Sequence, residues 1–131
     1  MSVNKISLRY LYYILIFLLF STSVCAESTR RGWTITYINV IEKALYKFKE
    51  DIGRYPTSTE GLNSLVLKPD AMLNWNGPYL KRSEIPLDRW NNELEYIYPP
   101  IYGSKDFDLY SFGANGIDNL GKEDDITNWS D

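Results

Sequence analysis

Histidine is absent from all 131 residues, and the single cysteine, Cys25, lies near the N-terminus. Without histidine the chain lacks the commonest general base at neutral pH and the commonest zinc ligand. One cysteine closes no internal disulfide, and thiolate-zinc chemistry is excluded with it. Positive charge is scarce as well: 14 Lys and Arg stand against 17 Asp and Glu, a net charge of −3. That balance argues against a nucleic-acid partner, which requires concentrated basic charge.

The N-terminus reads as a targeting segment. Lys5 and Arg9 precede an uncharged apolar run, Leu11 to Phe20, and then the small and polar stretch Ser21 to Ala26. Basic region, short apolar core and small-residue site, in that order, describe a secretory signal peptide. Residues 1–26 are accordingly expected to be a signal peptide cut before Glu27, with 27–131 as one globular domain. Two alternatives are lipidation at Cys25 and retention of residues 11–20 as a membrane anchor, although that run is shorter than the roughly 20 residues a bilayer requires. Cleavage gives a periplasmic or secreted domain, and retention gives one anchored to the inner membrane and facing the periplasm. After cleavage 12 basic residues face 17 acidic ones, a net charge of −5, and no cysteine remains. A domain this small and free of disulfides gains from another stabiliser.

Within the mature chain, Ser28 to Ile52 predicts one long helix. Trp33, Tyr37, Val40/Ile41, Ala44/Leu45, Phe48 and Ile52 recur at the spacing of a single buried stripe. Ser28 is placed to cap the start, and Gly53 with Pro56 marks the stop. Thr57-Ser-Thr-Glu60 has capping-box spacing and introduces a short second helix that ends at Pro69. Residues 70–88 read as loop, interrupted by Asn76-Gly77-Pro78 and Ile85-Pro86. Trp75, Tyr79, Leu80 and, just beyond, Trp90 are expected to pin that loop to the core. Strand patterns follow at 93–98 and 106–112, joined by a connection over 101–105 containing Gly103, and a last short strand is expected from Ile126 to Trp129. In the second pattern Phe107, Leu109 and Ser111 alternate with Asp108, Tyr110 and Phe112. One long N-terminal helix packed on a small antiparallel sheet is an α+β fold.

The loop between the last two strands offers Asn115, Asp118, Asn119, Glu123, Asp124 and Asp125, with Gly113, Gly116 and Gly121 permitting sharp turns. Hard cations such as calcium take about six to eight oxygen donors from carboxylates, amides and backbone carbonyls. A donor set without histidine or cysteine selects calcium over zinc or copper. The spacing is not that of an EF-hand. Two readings therefore stand, a solvated acidic tail and a loop folded around a cation. Ile126 and Trp129 beyond the loop favour an ordered one.

Three blocks in this order resemble the major pseudopilins of bacterial type II secretion, the GspG type. They are Leu45-Tyr-Lys-Phe-Lys-Glu-Asp-Ile-Gly-Arg-Tyr-Pro-Thr57 with Glu60-Gly-Leu62, Asn74-Trp-Asn-Gly-Pro-Tyr-Leu-Lys81 with Ile85-Pro-Leu-Asp-Arg-Trp90, and Phe107-Asp-Leu-Tyr-Ser-Phe-Gly-Ala-Asn-Gly116 with Asp125-Ile-Thr-Asn-Trp129. The resemblance implies a pilin-like fold with a C-terminal calcium loop, and partnership with other pseudopilins or secretion-system components. Matched residue by residue, it places ligands at the Phe112 carbonyl, Asn115 and Asp125. Asp118 and Asp124 join the expected set on their chemistry alone. The loop is one residue shorter than the family pattern, and Asn119-Leu120 stands in place of a Gly-Gly pair. Asn115 replaces an Asp, removing one charge from a hard-cation site. The family's basic leader, cleavage motif, early Glu and membrane-spanning helix have only a faint echo at Arg31-Gly32-Trp33-Thr34-Ile35-Thr36. Tyr37 stands at the Glu position. The expectation is thus the globular half of a pseudopilin behind an export signal.

Two classes of function follow. One is a non-catalytic, calcium-stabilised domain acting by protein contact in the periplasm, or its membrane-tethered form as a pseudopilin subunit. The other is a periplasmic hydrolase using the carboxylates of Asp106 and Asp108, alternate strand positions that share a face.

Overall fold

The computed structural model describes residues 5–70, 72–103 and 105–129. The first four residues of the expected leader, one position of the 70–88 loop and one of the 101–105 connection lie outside them. The chain divides into two compact units, residues 1–30 and 31–131.

The described residues of the first unit belong to the N-terminal part of helix α1 (Lys5–Ile52). The helix does not begin at Ser28: the capping propensity of that serine is overridden by good helix formers on both sides. From Leu8 to Phe20 the side chains are exposed and, apart from Arg9, apolar. Polar side chains that follow are absorbed by the helix itself, as Ser21, Thr22 and Thr29 donate to carbonyls three or four residues back. Because the turns run on beyond the apolar run, this region is long and apolar enough to cross a membrane, a property that signal peptides share.

The second unit holds the core. Helix α1 contributes Ile38, Ile41, Ala44, Leu45 and Phe48, all nearly inaccessible. The stripe is rotated at its N-terminal end from the expected one. Trp33 and Val40 remain 51% and 48% exposed, whereas Thr34 and Ile38 are buried. Thr34 is drawn inward because its hydroxyl accepts the Arg89 amide at 3.2 Å, fastening the loop before β1 to the helix.

Past Gly53 the capping box forms as its spacing predicts. The Thr57 amide donates to Glu60 at 2.7 Å, and the Glu60 amide donates to the Thr57 hydroxyl at 3.2 Å. Arg54 clamps the same carboxylate at 2.6 and 2.7 Å. The helix that follows is a single 3-10 turn, Leu62–Leu65, which buries Leu62 and Leu65. The aromatic residues pin the next loop as expected: Trp75 donates to the Ser64 carbonyl at 2.8 Å, and Tyr79 to Asp51 at 2.9 Å.

Three strands complete the unit: β1 (Glu95–Ile97), β2 (Asp108–Ser111) and β3 (Ile126–Thr127). They form an antiparallel sheet in the order β1-β2-β3. Tyr96 faces Leu109 across one junction, and Ser111 faces Ile126 across the other. The ladder is lengthened by a side chain, since the Leu109 amide donates to Asn128 Oδ1 and the Asn128 amide donates back to the Leu109 carbonyl, both at 2.9 Å.

Strand β2 is buried on both faces rather than on one. Leu109 faces the helix core, while the opposite face holds Tyr110 and Asp108. Asp108 is wholly inaccessible, and its oxygens accept the amides of Ile101, Tyr102 and Gly103 at 2.6 to 2.8 Å. Asp106 is surface-exposed and is paired with the Tyr55 hydroxyl at 2.8 Å and Lys49 at 3.6 Å. The Tyr55 hydrogen bond, ahead of the other influences, holds its pKa below the ordinary value, the wrong direction for a general acid. The two carboxylates expected as a hydrolytic pair are thus a buried loop anchor and a surface ion-pair member.

Candidate functional site: the 112–125 loop

The loop leaves β2 at Phe112, whose ring packs edge-on to Tyr110 with centroids 5.9 Å apart, and turns at Gly113. Gly113 has φ +64, and a Cβ there would overlap the Asp124 carbonyl, so the two ends of the loop touch through a position only glycine can fill. Leu120 and Glu123 also adopt left-handed backbone conformations, at φ +57 and +56. Such a conformation costs a non-glycine residue about 1–2 kcal/mol. Acceptors inside the loop hold it there.

Those acceptors are the expected ligands. Asp118 Oδ1 takes the Leu120 amide at 2.8 Å and lies 3.3 Å from the Tyr110 hydroxyl. Asp125 Oδ2 takes the amides of Gly121 and Asn119 at 2.9 and 3.1 Å. Asp124 Oδ2 takes the Asn115 amide at 2.9 Å, and its Oδ1 takes the Asn115 side-chain nitrogen at 2.5 Å. Asn115 also donates to Asn119 Oδ1 at 3.0 Å, and its own oxygen accepts from the Ile117 amide at 2.7 Å. Asn115 and Asp124 are therefore in direct contact, and Asp118 and Asp125 brace the turn between them.

Asp125 differs from the rest. Only 5% of it is exposed, and its Oδ1 is buried without a hydrogen-bond partner. Burial raises its pKa, the Gly121 and Asn119 amides oppose the rise, and the charges of Asp118 and Asp124 add to it. A buried carboxylate oxygen lacking both donor and cation is costly. Among the described residues no three Asp, Glu, His or Cys side chains are gathered tightly enough to hold a metal by themselves. A cation here would draw on amide and carbonyl oxygens as well. From the helix, Arg31 donates to the Asp124 carbonyl at 3.4 Å.

The loop is also held from a distant segment that the sequence did not point to. Asp88, 5% exposed, accepts the Trp90 and Asn92 amides on Oδ1, both at 2.8 Å. Its Oδ2 accepts the Ser111 hydroxyl at 2.6 Å and the Asn92 side chain at 3.1 Å. Ser111 Oγ in turn accepts the Gly113 amide at 3.0 Å, and Asn92 donates to the Gly113 carbonyl at 3.2 Å. Both polar groups of the Gly113 backbone are thereby fixed through Asp88. The one available hint was an Asp placed to make an Asx-type turn after Pro86.

The comparisons with known proteins agree with this architecture. Residues 25–129 match the family model described as type II secretion system (T2SS), protein G. Relatives named type II secretion system core protein G include one from Aeromonas hydrophila, 37% identical over 108 residues, spanning 79% of this chain and 71% of that protein. Another, from Escherichia coli (strain K12), is 39% identical over 107 residues, covering 79% of this chain and 70% of its own length. The crystal structure of the major pseudopilin from the type 2 secretion system of enterohaemorrhagic Escherichia coli superposes with a TM-score of 0.67 at 31% identity, covering 79% of this chain and 86% of that one. With the family model matched over most of its length, this chain belongs to the type II secretion system protein G family of pseudopilins.

Proposed function

We propose that this pseudopilin, whose role is secretion-related and non-catalytic, works as a calcium-stabilised subunit that contacts other secretion-system components on the periplasmic side of the inner membrane. The observation that carries the calcium reading is the buried, unpartnered Oδ1 of Asp125 beside two further carboxylates of the same loop. Asp118, Asp124 and Asp125, the Asn115 amide oxygen and the Phe112 carbonyl would hold the ion. Bound there, calcium supplies positive charge that relieves the repulsion among the three carboxylates. The protein's part is to pre-order the loop, through Asp88 and Gly113 at its start and the Asp125 turn at its end. Asn115 in place of a carboxylate makes the site weaker than an all-Asp one.

Thermal melting with calcium and with a chelator tests this, with magnesium as control. Ligand at about 100 times its dissociation constant adds roughly 2.7 kcal/mol. For a domain of this size that is a rise of about 10 °C. An unchanged melting temperature removes the calcium reading. Co-purification with pseudopilins of the same secretion system tests the assembly role, which falls if no interaction is found. Intact mass separates the two forms of export: a retained N-terminus means an anchored subunit, and loss of residues 1–26 a free domain.

A further inference from the structure

On the exposed side of helix α1, away from the sheet, Tyr37 and Val40 face an open groove of about 350 Å³ whose far wall includes Leu80, Lys81 and Arg82. Trp33, one turn before Tyr37, is also half-exposed, so the apolar strip continues along the helix. Four cations rim the groove: Lys43 and Lys47 from the helix, Lys81 and Arg82 from the opposite loop. No carboxylate lines it. The Arg82 guanidinium lies 5.7 Å from the Tyr37 ring centroid, which orients it along the groove edge.

Lys49, Arg54 and Lys105 are each ion-paired, with Asp106, Glu60 and Glu42. Among the described residues Lys43, Lys47, Lys81 and Arg82 form no ion pair, and unlike other unpaired cations such as Lys68 and Lys122 they line one groove together. A chain of net charge −3 therefore gathers four unpaired positive charges around one apolar strip. An apolar strip flanked by like charges fits an amphipathic helix with apolar anchors about three or four residues apart and acidic flanks.

The chain does not itself present such a helix. Its one α-helix among the described residues is α1, where Glu42 is paired with Lys105 and Asp51 accepts the Tyr79 hydroxyl. Asp118, Asp124 and Asp125 of the 112–125 loop accept backbone amides of that loop. We propose that the groove between α1 and residues 79–86 is a docking site for an acidic amphipathic helix of a different protein, with Tyr37 and Val40 receiving its apolar face and the four cations its carboxylates. The groove shares no residue with the calcium loop, so this site stands whether or not calcium binds.

The test uses the full chain in a non-ionic detergent and a fluorescent 18-residue helical peptide with Leu at successive heptad a and d positions and Glu beside them. Fluorescence anisotropy should show saturable binding that weakens as salt is raised. Lys43→Glu with Lys81→Glu should weaken it at least tenfold, and Val40→Asp should do the same. Lys68→Glu, outside the groove, should leave it within twofold. Circular dichroism melts establish that each variant is folded, and Val40→Ala serves if Val40→Asp is not. The proposal is overturned by absence of saturable binding, by equal binding of a scrambled peptide of the same composition, or by equal binding to the charge-reversed variant. It is also overturned if phosphatidylglycerol vesicles bind the groove and the peptide does not displace them, which assigns it to lipid. Self-association abolished by the same substitutions, without peptide binding, assigns it to a second copy and likewise overturns it.

Discussion

Replacing Asp88 by Ala should cost this domain much of its stability and loosen the loop that starts at Gly113. Asp88 accepts four hydrogen bonds, two of them from the backbone amides of Trp90 and Asn92. A hydrogen bond to a charged group contributes about 1.5–3 kcal/mol, and a buried donor left unsatisfied costs about 1–3 kcal/mol. Two amides and one hydroxyl lose their acceptor, but the molecule is also relieved of a buried carboxylate that forms no ion pair among the described residues. A net loss of about 3 kcal/mol is expected, against total stabilities that are commonly about 5–15 kcal/mol. With a urea slope near 1–1.5 kcal/mol/M, the unfolding midpoint should fall by about 2 M. Asp88→Asn keeps an oxygen for the two amides and places a donor opposite Ser111 and Asn92, so about half that loss is expected. Because Ser111 donates to Asp88 and accepts from Gly113, Ser111→Ala combined with Asp88→Ala should depart from additivity by about 1 kcal/mol or more. Any gain in melting temperature on adding calcium should shrink in parallel. A midpoint within 0.5 M (about 0.6 kcal/mol) of the parent, or additivity within about 0.3–0.5 kcal/mol, would refute the coupling of Asp88 to the loop.

Three further outcomes are expected. Asp125→Asn should hold or raise calcium-free stability near pH 7 and abolish stabilisation by calcium in the same melting assay. The native pKa of Asp125 is raised, so its ionisation opposes folding at neutral pH, and any gain from the substitution should fade as pH falls through the raised native pKa and be gone below the unfolded value. Gly113→Ala should lower stability by about 2–4 kcal/mol in urea, because the new methyl meets the Asp124 carbonyl and the backbone is left-handed. Glu60, held near pKa 2 chiefly by its hydrogen bond to Arg54, contributes stability that is complete above about pH 4.5 and lost as pH falls toward 2. Arg54 is 43% exposed, so screening reduces that contribution to about 1 kcal/mol, and Glu60→Gln should flatten the acid limb of a pH–stability profile by that amount.

What the sequence made legible was local. The Thr57–Glu60 box could be read because both its bonds lie within four residues, and Gly53 stopped the helix because its φ of +86 suits glycine. The rotation of the helix stripe was not legible. Trp33, Tyr37 and Val40 lie on one apolar face of α1 and Ile38, Ile41 and Leu45 on another, and only the loop carrying Arg89 decides which is covered. Asp108 read as an outward strand position because the three amides that satisfy it belong to a segment five to seven residues away, whose path no pattern reveals. The candidate site divides the same way. Asn115, Asp118, Asp124 and Asp125 were readable as one oxygen-rich loop; Asn115 and Asp124 are bonded to each other, and Asp118 and Asp125 accept amides of the same loop. Asp88 and Asn92 were not, because their bearing on Gly113 exists only after residues more than 20 positions apart have packed.

The brevity of the outer strands limits what can be added to the sheet. Strand β1 offers a newcomer three residues of open edge, and β3 offers two. Beyond β3 the Asn128 carboxamide carries the pairing with β2 on, donating to the Phe107 carbonyl and accepting from the Leu109 amide, so side-chain bonds replace further strand there. A foreign strand would find too few free rungs on such short edges to gain a foothold. The domain is thereby guarded against merging its sheet with that of another copy at high concentration, and what meets its surface meets side chains on helix and loops, where substitutions act one at a time.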